Sequence, residues 1–418
     1  MIESLNTQSS NSSRLRRVHC AMIVGTSNVE IAEQWSKLDP NPTTASFVRH
    51  LLERVKTGDD EANDELKSLF PTDHSRIGFG TAGLRSAMKP GPLCMNDLTI
   101  VQTAQGLAKY YNKKVKTTSD NFPKSPCAIV GYDHRANTAL QISSLSFAII
   151  TALVFAEAGI DCILLDGFVF TPLVPFALQK VGAVVGIMIT ASHNPKQDAG
   201  YKVYASDGCQ IRSPIDTDIA NEILENLEPW RNYGELIEAR RKQFKDPCLG
   251  LSQPDTTKRM IDAYFDALKT SGLFTGQARI KREDTSLDPP KFAYTAMHGV
   301  GHPFAVRVFD VFEITPFESV PQQRDPDPTF PTVPFPNPEE KHALDIAKQF
   351  ANDHECDVVV ANDPDADRLA VAERDRASGE WTVFTGDQIG SMLGLWIWEQ
   401  LGKNCGKVSR PFRRFEDF

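Results

Sequence analysis

The regular alternation of short apolar runs with longer helical segments is the feature that most restricts the fold of this chain. From residue 127 onward, a strand is predicted at 127–132, a helix at about 139–158 and a second strand at 161–165. A helix after Pro172 and a strand at 183–190 continue the series. Such alternation is typical of an α/β domain whose sheet is largely buried.

A second stretch repeats the alternation after the polar residues 235–258. Its predicted elements are a helix at 259–270, a strand at 292–297, helices at 302–312 and 339–353, and a strand at 356–361. The proline-dense residues 321–338 cannot form a regular helix or a central strand, so an extended surface connection is predicted there. A further unit begins near Thr385 with a helix to Leu401.

The length of 418 residues exceeds what one hydrophobic core usually serves, so two or three domains are expected. Before the first alternation, residues 31–69 have a polar helical pattern. The predicted organisation is a disordered tail, a first α/β domain, a second α/β domain and the start of a third, at 1–30, 31–240, 250–375 and 380–418. The fold class is therefore α/β.

Composition narrows the possible partners and the compartment. A net charge of −9 argues against a nucleic-acid partner or an acidic membrane surface. No apolar run approaches the roughly 18 residues of a membrane span. The eight cysteines form no CxxC pair, which favours a cytoplasmic location. Residues 1–28 are serine-rich and basic, as in a transit peptide, but we prefer the interpretation of a disordered tail.

Three aspartates occupy alternate positions directly after the strand predicted at 356–361: Asp363, Asp365 and Asp367. Pro364 favours extended backbone, and alternate side chains of an extended loop point to one side. Three converging carboxylates repel one another unless a cation neutralises them, and all-oxygen ligation with open positions suits Mg²⁺. A solvated acidic turn is the alternative that the spacing leaves open.

Two other acidic motifs can be compared with this run. An EF-hand loop would have glycine at its sixth position and glutamate at its twelfth, where this chain has Arg368 and Arg374, so that motif is excluded. A haloacid-dehalogenase-type phosphatase would use an aspartate nucleophile in an Asp-x-Asp-x-Thr run, but the fifth residue here is Asp367. The second alternative is weakened and stays open.

A hydroxyl nucleophile is the second chemical feature. Ser192 follows the strand predicted at 183–190, with His193, Lys196 and Lys202 close by in sequence. An isolated serine here is most often a turn or helix-cap residue, and the lack of any Gly-x-Ser-x-Gly elbow disfavours a serine hydrolase. A serine combined with a carboxylate trio favours phosphoryl transfer, which needs a hard cation, basic side chains and a nearby base. Both loops follow strands, and ligands bind at the carboxyl ends of strands in open α/β sheets.

Four ordered segments make the chain resemble the α-D-phosphohexomutase superfamily: 80–85, 190–196, 200–204 and 363–368. The resemblance covers roughly residues 40–401. It implies consecutive α/β/α sandwich domains of the phosphohexomutase type, two complete and a third cut short. The wording of 200–204, 227–230, 325–328 and 335–340 resembles the phosphoglucomutase-2 and phosphopentomutase branch, whose relatives include glucose-1,6-bisphosphate synthase.

The resemblance implies a phosphosugar mutase. Ser192, phosphorylated at rest, would give its phosphoryl group to a sugar monophosphate and form a bisphosphate, which turns over and returns its other phosphate. Glucose 1-phosphate and 6-phosphate, or ribose or deoxyribose 1-phosphate and 5-phosphate, would be interconverted, with a sugar bisphosphate as activator. Asp363, Asp365 and Asp367, together with an oxygen of phosphorylated Ser192, would bind Mg²⁺.

Basic side chains complete the site that the resemblance implies. Arg85 and Arg368 would stabilise the moving phosphoryl group, because a guanidinium stays charged and contacts two oxygens at once. Lys202 and His193 are the candidates for general acid and base, with Lys202 preferred because the family places its lysine there. Crowding by the arginines and the metal is expected to lower the pKa of Lys202. Residues 297–301 also resemble a segment of the family, and they are predicted to be a tight turn without a catalytic role.

Two loops of the family have no match in this chain. In the family, a loop of the third domain recognises sugar hydroxyls and the fourth domain holds the phosphate that does not react. Residues 407–418 are basic and aromatic and match neither loop. We therefore expect a shortened relative, which is either an active mutase or a metal-binding isoform with little activity. The preferred sugar and the oligomeric state stay open.

Overall fold

The computed structural model describes residues 25–117, 126–244, 254–271 and 289–403. Three helices come first: α1 (Asn28–Leu38), α2 (Pro42–Lys56) and α3 (Asp60–Leu69). Each begins where the side chain of Ser27, Asn41 or Asp59 accepts backbone N–H groups of the first turn. The polar segment predicted as helical at 31–69 is therefore three short helices, which pack their apolar faces together.

The first α/β unit is built on a five-stranded mixed sheet. The strands of this part of the chain are β1 (Leu84–Ala87), β2 (Cys127–Tyr132), β3 (Ala136–Asn137), β4 (Ile142–Ser143), β5 (Asp161–Leu164), β6 (Val185–Ile189) and β7 (Asp198–Ala205). The sheet has the order β1-β7-β6-β2-β5, while β3 and β4 form a separate hairpin. β2 is parallel to β5 and β6, and β7 is antiparallel to β6 and β1. The three strands predicted from residue 127 are confirmed.

Helices cover both faces of this sheet. They are α4 (Asp97–Thr117), α5 (Ser144–Glu157), α6 (Leu173–Val181), α7 (Ile215–Glu225) and α8 (Gly234–Phe244). Alternate strand residues point to opposite faces: Val130 and Ile187 join the core beneath α4 and α5, whereas Ile129 and Met188 pack against α6. The result is an α/β/α sandwich.

The helix predicted at about 139–158 begins later, at Ser144. The hairpin of β3 and β4 uses the residues before it. Ser143 then caps the helix, because its Oγ accepts the backbone N–H of Ser146 at 3.1 Å. A local side-chain hydrogen bond therefore decides the boundary, and apolar periodicity does not show it.

A second five-stranded mixed sheet has the order β12-β11-β10-β8-β9. Its strands are β8 (Phe292–Thr295), β9 (Glu318–Ser319), β10 (Val358–Asn362), β11 (Leu369–Arg374) and β12 (Trp381–Val383). Its helices are α9 (Pro254–Thr270), α10 (His302–Val311), α11 (Asp345–Asp353) and α12 (Gly386–Lys403). The helix predicted at 339–353 starts only at Asp345, and the helix predicted at 259–270 begins earlier, at Pro254, whereas α10 and α12 fall close to their predicted bounds.

The two sheets use the same local connection. β6 and β10 each run parallel to a neighbouring strand and then turn through a polar loop into an antiparallel partner, β7 or β11. An apolar cluster joins the two units. Within it the Phe170 ring lies 4.4 Å from the Phe304 ring and 5.0 Å from the Tyr264 ring, between centroids. This packing brings the two polar loops to one place.

The proline-rich residues 321–338 contain no α-helix or strand, as predicted, and many of them are exposed, but the prediction of a surface connection is only partly right. Phe330 and Gln323 are buried. The Gln323 side chain accepts a hydrogen bond from Thr295 Oγ1 at 2.8 Å and donates one to Thr332 Oγ1 at 3.0 Å. Proline excludes helix and ladder hydrogen bonds, but it does not prevent burial when side chains supply the missing bonds.

α12 extends from the second sheet with much of its apolar surface exposed. No described helix is long and apolar enough to cross a membrane. Most of the tail predicted at 1–30 lies outside the described residues, and so do residues 407–418. The domain boundaries stay a prediction.

Candidate active site

Ser192 lies in the loop between β6 and β7, at the carboxyl end of the first sheet. The five residues of β6 are all buried, so the chain leaves the core directly into this loop. Ser192 is itself buried, and its φ of 54° is left-handed, which is uncommon for a residue other than glycine. Its backbone N–H donates to Thr190 Oγ1 at 2.8 Å. This loop, which we call the serine loop, therefore holds Ser192 in an uncommon backbone conformation.

The three aspartates lie in the equivalent loop between β10 and β11. One carboxylate oxygen from each of Asp363, Asp365 and Asp367 lies within 4.8 Å of the others. Pro364 led us to expect an extended backbone, but the backbone of this loop is not extended. It is a turn in which the Ala366 N–H bonds to the Asp363 carbonyl at 2.9 Å and Ala366 has a φ of 53°. The carboxylates converge because of this turn.

The two loops meet through one direct hydrogen bond. Ser192 Oγ donates to Asp363 Oδ2 at 2.8 Å. Asp363 Oδ1 accepts the backbone N–H groups of Asp367 at 3.2 Å and of Arg368 at 3.0 Å, so both oxygens of this carboxylate are held. The structure thus places the predicted nucleophile against the predicted metal ligands, although 171 positions separate them in sequence.

Lys202 projects from β7 into the carboxylates. Its Nζ donates to Asp365 Oδ2 at 2.7 Å and to Asp367 Oδ2 at 2.6 Å. Burial alone would lower the pKa of Lys202, but the two carboxylates outweigh it and raise the pKa above its usual range. The lowered pKa expected from the sequence is therefore not found in this arrangement, in which two carboxylates contact the Lys202 ammonium.

The carboxylate cluster has the properties of a cation site. Asp365 Oδ1 is buried without a hydrogen-bond partner, and burial together with repulsion from Asp365 and Asp367 raises the pKa of Asp363. A buried carboxylate oxygen with no hydrogen-bond partner is costly, so Asp365 Oδ1 fits a positive ligand. A donor set made only of carboxylate oxygens suits a hard divalent cation.

His193 stands next to the nucleophile. Its Nδ1 is 3.3 Å from Ser192 Oγ. Burial lowers its pKa to about 4, and the nearby charges of Arg368 and Arg85 act in the same direction. The imidazole is therefore neutral near pH 7, and its unprotonated ring nitrogen can accept a hydrogen bond. Of the two proposed acid and base residues, His193 is neutral here and Lys202 is charged.

Arg85 and Arg368 approach the same loops from opposite units. Arg85, on β1, donates from Nη1 to Asn194 Oδ1 at 2.8 Å. Arg368 begins the turn into β11, is half-buried, and binds Asp363 through its backbone N–H. The structure brings all of the predicted site residues to one region.

The turn predicted at 297–301 packs directly on the loop that carries the three aspartates, the aspartate loop. The Val300 N–H donates to the Pro364 carbonyl at 2.9 Å. A Cβ added at Gly299 would lie 2.4 Å from Pro364 Cα and 2.5 Å from its carbonyl oxygen. Only glycine permits this close approach of the two loops.

Sequence reasoning missed two contributors to the site. Thr171, just before α6, donates from Oγ1 to Asp365 Oδ2 at 2.5 Å, and its N–H donates to the Asp365 carbonyl at 2.9 Å. Arg135, after β2, donates to backbone carbonyls of the serine loop. Neither residue belongs to a motif with a chemical pattern of its own. Their position after strands β5 and β2, at the ligand-binding edge of the sheet, was the one available signal.

Comparison with known proteins places this site in a family. Residues 76–229 match alpha/beta/alpha domain I of the phosphoglucomutase/phosphomannomutase family, and residues 262–379 match domain II. A putative phosphomannomutase from Thermus thermophilus shares the fold, with a TM-score of 0.56 and 23% identity, over 78% of this chain and 62% of that one.

Curated relatives are more similar in sequence. Phosphopentomutase of Homo sapiens is 42% identical over 365 residues, which are 87% of this chain and 55% of that protein. Phosphoribomutase of Saccharomyces cerevisiae is 41% identical over 380 residues, covering 88% and 55%. Glucose 1,6-bisphosphate synthase of Homo sapiens is 38% identical over 377 residues, covering 89% and 55%. The chain spans about half the length of these curated relatives.

Proposed function

The chain belongs to the phosphoglucomutase/phosphomannomutase family of the α-D-phosphohexomutase superfamily, in the branch of phosphopentomutase and glucose 1,6-bisphosphate synthase, and from this premise we propose that it is a phosphosugar mutase. One observation carries the proposal: the Ser192 hydroxyl donates to Asp363 at 2.8 Å, beside two further carboxylates. A buried serine in this setting is suited to carry a phosphoryl group.

The proposed reaction has two transfers. In the first, the bond between Ser192 Oγ and phosphorus breaks as a bond forms between phosphorus and a hydroxyl oxygen of the sugar monophosphate; the hydroxyl proton leaves to a basic side chain, and Ser192 Oγ takes up a proton. In the second, Ser192 Oγ gives up its proton and bonds to the phosphorus of the other phosphate, the bond between that phosphorus and its sugar oxygen breaks, and the sugar oxygen takes up a proton. Ser192 therefore ends phosphorylated, as it began.

Asp363, Asp365 and Asp367, with an oxygen of phosphorylated Ser192, would hold Mg²⁺ in this proposal. A bound divalent cation would supply positive charge that neutralises phosphoryl oxygens and competes with Lys202 for Asp365 and Asp367. Thr171 and the backbone N–H groups at 367 and 368 orient the aspartates through the hydrogen bonds described above.

Lys202 and His193 share the proton transfers in this proposal. His193 Nδ1, neutral and 3.3 Å from Ser192 Oγ, is placed to exchange a proton at that oxygen. Lys202 is charged in the arrangement described, so it is suited to act first as an acid or as an electrostatic partner of phosphate. It becomes a base only when its two carboxylate contacts are replaced.

Arg85 and Arg368 are proposed to stabilise the phosphoryl group as it moves. Each lies beside the loop that carries Ser192 or its carboxylate partner. A guanidinium binds two phosphoryl oxygens in one plane, which an ammonium cannot reproduce.

The proposed substrates are pentose and hexose monophosphates, with a sugar bisphosphate as activator. Relatives named phosphopentomutase and phosphoribomutase favour ribose or deoxyribose 1-phosphate and 5-phosphate. A relative named glucose 1,6-bisphosphate synthase, 38% identical, supports that activity as the second candidate. A form of low activity is the third. The five cysteines among the described residues are free thiols, which is compatible with the proposed cytoplasmic location.

Phosphate acceptance by Ser192 tests the proposal. The purified chain is incubated with Mg²⁺ and either glucose 1,6-bisphosphate or ribose 1,5-bisphosphate, and the peptide that contains Ser192 is examined by mass spectrometry. We expect one phosphoryl group on Ser192, none in Ser192→Ala, and normal labelling in Ser206→Ala, a change of an exposed serine after β7. Equal labelling of the Ser192→Ala protein would refute the assignment.

Products then separate the candidates. A mutase interconverts the 1-phosphate and the terminal phosphate ester of one sugar and consumes no separate phosphoryl donor. A bisphosphate synthase accumulates the bisphosphate and consumes a separate phosphoryl donor. Phosphorylation of Ser192 without either product would identify the form of low activity.

A further inference from the structure

Arg135 is a buried arginine whose guanidinium is bonded to the loop that carries the nucleophile. It follows β2, and only 1% of its surface is exposed. Nη2 donates to the carbonyls of Ser192 and Asn194, both at 2.7 Å, and Nη1 donates to those of Pro195 at 2.9 Å and Asp198 at 3.1 Å. Three of these backbone carbonyls belong to the loop between β6 and β7, and the fourth belongs to Asp198, the first residue of β7.

The negative charge that balances Arg135 is that of Asp133, which also follows β2. Arg135 Nε lies 3.6 Å from Asp133 Oδ2. Asp133 Oδ1 accepts the backbone N–H of Arg135 at 3.0 Å and the hydroxyl of Ser144 at 2.6 Å. A buried ion pair contributes little net stability, because its desolvation offsets the attraction. Fold stability alone therefore does not account for this arginine, whereas its four contacts to residues 192–198 do.

The loop needs such support. Ser192 has a φ of 54° without being glycine, and a residue in this region is strained unless its surroundings hold it there. Thr190 Oγ1 holds the Ser192 N–H on one side, and Arg135 holds the Ser192 carbonyl on the other. The Phe330 ring covers the guanidinium at 5.1 Å, so the second unit closes the assembly.

We propose that Arg135 is a positioning residue, which holds residues 192–198 in the conformation that directs Ser192 Oγ at Asp363. This inference deepens the proposed function and rests on it. Arginine is required because its planar head reaches four carbonyls with two nitrogens. A lysine ammonium has three donors at one point and cannot span the same acceptors.

The experiment compares Arg135→Ala, Arg135→Lys and the control Arg212→Ala. Arg212 is an exposed arginine paired with Asp207 at 3.0 Å, so its removal changes the net charge equally without affecting the serine loop. Hydrogen exchange of peptides covering 190–198, and tryptic cleavage after the exposed Lys196, report the loop without any substrate. Phosphoryl transfer from glucose 1,6-bisphosphate to Ser192, measured as a single turnover with Mg²⁺, reports the chemistry.

We expect loop exchange in Arg135→Ala to rise on the order of 100-fold, because hydrogen bonds to a charged group are lost. The transfer rate should fall about 100-fold while the half-saturating bisphosphate concentration changes little. Guanidinium ion at millimolar concentration should restore part of the rate in Arg135→Ala, and Arg135→Lys should recover only part of the loop protection. Arg212→Ala should match the parent in every measurement.

Several results would overturn the inference. Unchanged exchange at 190–198 in Arg135→Ala would show that the loop does not depend on the guanidinium. Loss of protection throughout β2 and β6 in both variants would assign Arg135 to fold stability. If the parent chain accepts no phosphoryl group, the proposed function fails, but the exchange and cleavage measurements still decide the role of Arg135.

Discussion

At the scale of single residues, the site is defined by which charges face one another. Ser192 donates to Asp363, Lys202 contacts Asp365 and Asp367, and Asp365 keeps one buried oxygen without a hydrogen-bond partner. Burial and the charges of Asp365 and Asp367 raise the pKa of Asp363, and the same two carboxylates hold Lys202 charged. A cation bound there changes both interactions at once.

Asp365→Asn should weaken divalent-cation binding by at least about tenfold, because one charge of a converging trio is removed. Calorimetric titration with Mg²⁺ and Mn²⁺ measures the affinity. Asp353→Asn, on the exposed end of α11, is the matched control. Equal affinity in both variants would mean that the cluster is an ordinary acidic turn.

Arg85→Lys should lower the rate of phosphoryl transfer to Ser192 by about tenfold or more, because an ammonium does not reproduce the planar contact. The Arg85 guanidinium also holds Asn194 in the serine loop. Single-turnover labelling from a sugar bisphosphate measures the rate, with Arg212→Lys as control. A rate equal to that of the parent would remove Arg85 from the phosphoryl site.

At the scale of elements, loops that join parallel strands to antiparallel partners bring the site together. The 297–301 turn supports the aspartate loop. In the proline-rich residues 321–338, the Phe330 ring packs against His134 and against Arg135, whose guanidinium holds the serine loop. The site is therefore sensitive to residues that do not carry any chemistry.

Gly299→Ala should destabilise the protein by about 1–3 kcal/mol and weaken cation binding, because the added methyl group overlaps the backbone of Pro364. Thermal unfolding with and without Mg²⁺ measures both effects. Gly78→Ala is the control, since a Cβ there meets nothing within 4 Å. Equal unfolding temperatures of the two variants, with and without Mg²⁺, would show that the 297–301 turn and the aspartate loop can move apart at little cost.

Phe330→Ala should cost about 3–5 kcal/mol of unfolding free energy, as expected for a fully buried aromatic ring. Phe335→Ala lies in the same proline-rich stretch, but Phe335 is 39% exposed, so a much smaller loss is expected. Chemical denaturation of both variants gives the comparison. Equal small losses of unfolding free energy would mean that Phe330 contributes no more to stability than an exposed residue of a surface connection.

At the scale of the whole molecule, α12 presents a continuous apolar surface. Met392, Leu393, Leu395 and Trp398 are between 50% and 76% exposed. Apolar patches of this kind favour association. The helix contrasts with α5, whose side chains between Ser146 and Phe155 are buried in the first unit.

The chain should therefore self-associate with rising concentration, and Leu395→Glu should reduce that association. Sedimentation velocity across a hundredfold range of concentration measures it. Val306→Glu, at an exposed apolar position on α10, is the control. A parent that stays monomeric throughout, or a control with the same effect as Leu395→Glu, would contradict the role of α12.

Local sequence was sufficient for the alternation of strands and helices and for the two polar loops that follow β6 and β10. Periodicity of two or of about 3.6 residues reports which side chains are buried, and it is a property of adjacent residues. The placement of Ser192 and of the three aspartates in loops at strand ends was likewise apparent from the sequence, whereas their proposed roles came from the resemblance to a family. The starts of α5 and α11 were not apparent, because a hairpin and a serine cap decide the start of α5 and a series of turns precedes α11.

Only the tertiary structure decided which side chains face one another. Ser192 and Asp363 come together because an apolar cluster packs the two units, and that cluster has no local signature. Packing also placed Lys202 against carboxylates, buried Phe330 in a stretch rich in proline, and brought Arg135 to the carbonyls of the serine loop. Electrostatic interactions depend on distance in space and on burial, whereas a sequence specifies distance along the chain.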